Sequence, residues 1–78
     1  MELVGNFEVD RLHYSLMKIQ DNFFKLSVPT MGTAKNAFHT APDVSVRVDG
    51  EKIEIIGLPT YHNQREDKII SEIRRLVF

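Results

Sequence analysis

Hydrophobic and polar positions fall into three periodic stretches. In VDRLHYSLMKIQDNFFKL, Val9, Leu12, Leu16, Ile19, Phe23 and Leu26 recur at spacings of 3, 4, 3, 4 and 3, the repeat of one face of a helix. Asn6 or Asp10 offers the N-cap oxygen, and Pro29 biases Val28 toward extended geometry, so the pattern predicts a helix over about residues 9–25. In VSVRVDGEKIEIIGLP, Val44, Val46 and Val48 alternate with polar residues before Asp49-Gly50, and Ile53 and Ile55 alternate after it, which reads as a β-hairpin. A two-residue Asp-Gly turn would oppose Arg47 to Lys52 and Val48 to Glu51. The preferred register instead sets Val48 against Ile53, Val46 against Ile55 and Arg47 against Glu54, closed by a slightly longer loop.

The last stretch, NQREDKIISEIRRLVF, places Ile69, Ile70, Ile73, Leu76 and Val77 on one helical face. Asn63 with Glu66 three residues on has the form of a capping box, Asp67 falls in the first turn, and Arg74 and Arg75 sit near the end where they complement the helix dipole. Two strands alone are marginal in water, so a third is expected from residues 2–7 or 24–29. The resulting expectation is one α+β domain over residues 1–78, with a small antiparallel sheet packed against two amphipathic helices. Its order is β-α-β-β-α or α-β-β-β-α; the first is adopted because the stripe carries the helix through Phe23.

Residues 29–43, PTMGTAKNAFHTAPD, have neither period. Read as a connector, Thr33 caps a short helix whose Ala34, Ala37 and Phe38 pack inward while Met31 fills a gap. Read as a recognition loop, Met31, Lys35, Phe38 and His39, with Asn36, offer an apolar anchor among adaptable polar groups.

Composition narrows the classes. The apolar share of 42% with 27% charged residues is that of a folding domain. Only about 60–65% of the unfolded chain's surface is hidden at this size. With no Cys and three scattered His, no disulfide or metal staple is expected. Absent Cys fits a cytoplasmic setting, and no apolar run suits a signal peptide or membrane span. A formal charge of −1 argues against gross attraction to nucleic acid or anionic lipid.

No catalytic signature stands out, and no cofactor is expected: there is no Gly-x-Ser-x-Gly elbow, the four glycines are too dispersed to cradle phosphate, and the His residues lack ligand spacing. Two surfaces on the expected first helix remain. Tyr14, Met17 and Phe24 form an apolar strip beside the main stripe, which with Met31, Lys35, Phe38 and His39 suggests a protein-binding patch or self-association. Arg11, Lys18 and Lys25, at i, i+7 and i+14, form a basic row able to meet successive phosphates of RNA or DNA.

The expectation is therefore a non-catalytic regulator, inhibitor or adaptor, of a size that suits a phage or bacterial gene product, with a nucleic-acid module as the alternative. The α-β-β-β-α order is that of double-stranded-RNA-binding domains. The lysine-rich start of their last helix is replaced here by Gln64, Arg65, Glu66, Asp67 and Lys68, so membership is not inferred.

Overall fold

The computed structural model describes residues 2–28 and 44–78. Five strands, β1 (Glu2–Val9), β2 (Leu12–Gln20), β3 (Phe23–Ser27), β4 (Ser45–Asp49) and β5 (Lys52–Ile56), are followed by a 3-10 segment (Thr60–Arg65) and the helix α1 (Glu66–Val77). The strands form one antiparallel sheet in chain order, β1-β2-β3-β4-β5. The α+β class holds. Both candidate third strands are in the sheet, residues 2–7 within β1 and residues 24–27 within β3.

The helix expected over residues 9–25 is replaced by a hairpin, β2 and β3, and neither proposed element order is the observed one. The reason lies in two turns. Asp10 and Arg11, between paired Val9 and Leu12, have φ of 51° and 70°, the two positive φ values of a type I′ connection that matches strand twist. Asn22, at φ 62°, supplies the left-handed residue between β2 and β3. With those turns made, the buried residues follow the period of two, Tyr14 and Leu16 on β2, then Phe24, Leu26 and Val28 on and after β3. The helical stripe was a mixture: Val9, Leu16 and Leu26 are buried, but Ile19 is 44% exposed and Phe23 lies on the opposite face of the sheet from Phe24.

The β4–β5 hairpin has the register that avoids poor cross-strand pairs, Val46↔Ile55, Arg47↔Glu54 and Val48↔Ile53. Its closure is tighter than expected. Asp49 pairs with Lys52, leaving Gly50-Glu51 as a two-residue turn with Gly50 at φ 64°, the position at which a type II′ turn requires glycine. Backbone bonds from Leu26 to Val44 (2.9 Å) and from Val48 to Asn22 (3.0 Å) extend the β3–β4 pairing at both ends.

Helix α1 covers one face of the sheet. Ile69 and Ile73 are fully buried in one core cluster with Tyr14, Leu16, Leu26, Val44 and Val46, with Ile70, Leu76 and Val77 at the margin. The helix begins later than the capping pattern implied: Asn63 lies within the 3-10 segment, Arg65 occupies the N-cap position, and no side chain caps it. Glu66 and Asp67 in the first turn and Arg74 and Arg75 in the last complement the dipole as expected. Arg74 also donates to the Glu51 carbonyl at 2.8 Å, fastening the helix end to the β4–β5 turn. Among the described residues no helix is long and apolar enough to cross a membrane.

Candidate binding surfaces

A polar cluster joins the β1–β2 turn to the start of α1. The positive φ of Asp10 carries its carboxylate over the end of the sheet, where it accepts from Arg65 Nε and Lys68 Nζ, each at 3.2 Å. Those two hydrogen bonds, Lys68 first, hold the Asp10 carboxyl below the ordinary aspartate value. Buried Arg65 donates a further bond from its terminal nitrogen to the Tyr61 carbonyl at 2.8 Å, and its guanidinium lies 5.0 Å from the Tyr61 ring centre.

Beneath this pair, the Tyr14 hydroxyl and His62 Nδ1 share a hydrogen bond of 2.8 Å with both residues at 1% exposure or less. Tyr14 stacks on Phe7 at 5.2 Å, and the edge of His62 meets Tyr14 and Tyr61 at 5.5 and 5.1 Å. Burial pushes the Tyr14 phenol up. Among the described residues no buried side-chain nitrogen or oxygen lacks a hydrogen-bond partner. Tyr14 and His62 offer nothing to solvent, so the cluster works as a fastener that seats residues 60–65 on the sheet.

The second feature is the sheet face that α1 leaves open. Alternation puts Asn6, Ser15 and Ser27 in one cross-strand row, and Leu3, Met17, Lys25, Ser45 and Ile56 in the next. Phe23, Arg47 and Glu54 form a third, with Arg47 and Glu54 joined at 3.1 Å. Leu3 and Ile56 are 53% and 47% exposed. Large aliphatic groups at this exposure, interleaved with Lys25, serines and an ion pair, have the mixed make-up of a protein contact surface.

The structure redistributes the residues singled out from sequence. Tyr14 and Phe24 are core residues under α1, at 1% and 7% exposure, whereas Met17 is on the open face, so the three do not form a surface strip. The basic row is likewise broken: Arg11 sits in the β1–β2 turn, Lys18 lies opposite Phe24 and pairs with Asp21 at 3.3 Å, and Lys25 is on the other face beside Met17. Met31, Lys35, Phe38 and His39 lie outside the described residues. Sequence reasoning missed Asp10, Tyr61, His62 and Arg65 as a unit, since they share no period and meet only once β1, β2 and α1 are assembled. No protein-family model, curated protein or solved structure matches the chain, so the reading of these surfaces rests on their own chemistry.

Proposed function

We propose that this chain is a small non-catalytic protein-binding domain that docks a folded protein partner on the open face of its sheet. The observation that supports this reading is the exposure of Leu3 and Ile56 beside Met17, Lys25 and the Arg47–Glu54 pair, on the side of the sheet opposite the helix. Antiparallel sheets tolerate one wet face, but that face is ordinarily polar. Here aliphatic side chains stand at both edges of a centre that mixes Met17 and Phe23 with Lys25, Ser45 and the Arg47–Glu54 pair, which suits a partner contributing its own apolar groups. The nucleic-acid alternative finds no matching arrangement, because Arg11, Lys18 and Lys25 fall at a turn and on two different faces.

A photo-crosslinking residue in place of Lys25 or Ile56 tests the reading in cells of the source organism, with the same residue at Arg75 on the exposed side of α1 as control. The expected result is an adduct of one defined mass from positions 25 and 56 and none from position 75; sedimentation of the purified chain then shows whether that mass is a second copy. Equal yields from all three positions, or no adduct from the face, would refute it.

A further inference from the structure

We propose that the outer edge of β1, where α1 runs beside it, is a second docking site, for an extended segment of a partner protein in which basic and apolar residues alternate. The site is distinct from the open sheet face, and the proposal stands without that reading. Among the described residues β1 has a neighbouring strand on one side only, so its outward N–H and C=O groups form a template to which an extended chain can add.

The edge also borders a groove. Lys68 bonded to Asp10, and Leu76 packed where a side chain at Gly5 would stand, bring α1 alongside β1. Between them is a cavity of about 300 Å³ lined by Glu8, Val9, Asp10, Lys68, Ser71 and Glu72. A strand added to β1 would turn every second side chain into this groove, where Val9, 5% exposed, is the one apolar residue of the lining, and the intervening ones toward the open face.

Charge chooses the rest of the sequence. β1 carries Glu2 and Glu8 and no Lys or Arg; Glu8, half exposed beside His13 at 3.3 Å, stands on the open-face side. A lysine or arginine on the added strand opposite Glu8 makes a favourable cross-strand pair, and an apolar neighbour enters the groove over Val9. A second copy of the chain fits poorly. Two-fold antiparallel pairing of β1 with β1 would bring Glu2 and Glu8 of one strand toward those of the other, with no Lys or Arg on either strand to meet them. The other edge, β5, is five residues long and carries Lys52, a feature that discourages strand addition.

The probe is a capped synthetic peptide of about seven residues alternating Lys and Val, titrated into the ¹⁵N-labelled chain, with a Glu–Val peptide as its counterpart. Amide shifts should move along residues 2–9 and in the first turns of α1, and the Glu–Val peptide should bind far more weakly. Glu8→Lys should weaken the Lys–Val peptide about fivefold or more, the scale of a lost and reversed cross-strand charge pair. Ser71→Trp, at an exposed helix position, should fill the groove and abolish binding while melting stays unchanged. Ile56→Asp on the open face should leave binding intact, which separates this site from the one above. No shifts at millimolar peptide, shifts confined to β5 or the open face, equal binding of the two peptides, or full binding by Ser71→Trp would each overturn the proposal.

Discussion

Tyr14→Phe isolates the fastener that joins the sheet to residues 60–65. The ring is kept, and with it the stack on Phe7 at 5.2 Å and the edge contact with His62; only the hydroxyl, 2.8 Å from His62 Nδ1, is lost. Because His62 is fully buried, water cannot take the place of the hydroxyl, and the expected cost is that of removing one partner from a buried hydrogen bond, about 1–3 kcal/mol. Against a total stability of about 4–12 kcal/mol for a domain of this size, that is a large fraction. Melting followed by circular dichroism should fall by about 4–24 °C, since each kcal/mol is worth about 4–8 °C in so small a domain. Tyr61→Phe is the control: Tyr61 is 40% exposed and its ring contact with Arg65 survives the change, so its effect should stay within about 0.5 kcal/mol. If the two variants melt together, the Tyr14–His62 bond does not seat the segment and the reasoning fails.

Three further outcomes follow from the same structure. Arg11 holds φ of 70° in the β1–β2 turn, where glycine is unstrained, so Arg11→Gly should raise stability by up to about 1 kcal/mol in urea denaturation; a loss would contradict the turn assignment. Ile73→Ala, at a fully buried position facing the sheet, should cost about 2–5 kcal/mol, and an unchanged urea midpoint would refute its place in the core. Because the folded state depresses the Asp10 pKa below 3.8, the stabilisation it gives is complete well above that value and disappears as pH falls through the lower folded pKa. Asp10→Asn should therefore flatten the acid limb of a stability profile measured between about pH 5 and 2, and an identical limb in both proteins would rule out this pair as its source.

The chain's own pattern was enough to specify the β4–β5 hairpin and the terminal helix. Val46 and Val48 against Ile53 and Ile55, interrupted by one glycine, leave a single register that turns all four toward the core, three of them buried and Ile55 partly so. The stripe through Ile69, Ile73 and Leu76 has only one way to be hidden, and acids at one end and arginines at the other agree with it. Residues 9–25 carried no such agreement. Their leucines, lysines and methionine suit a helix, their aromatics suit a strand, and the 3-4 spacing fits two short strands once Asp10-Arg11 and Asp21-Asn22 turn the chain.

Tertiary structure decided between these readings, because a meander through β2 and β3 pairs with β1 on one side and β4 on the other, joining them into one sheet for α1 to cover. It also decided which residues can meet anything else. Tyr14 and Phe24 went to the core, Leu3, Lys25 and Ile56 to the open face, and Asp10, His62 and Arg65, up to 55 positions apart, came together only through the pairing of β1 with β2 and the return of α1 beside them. Local spacing carries no record of contacts made over such separations; they exist only once the sheet has closed.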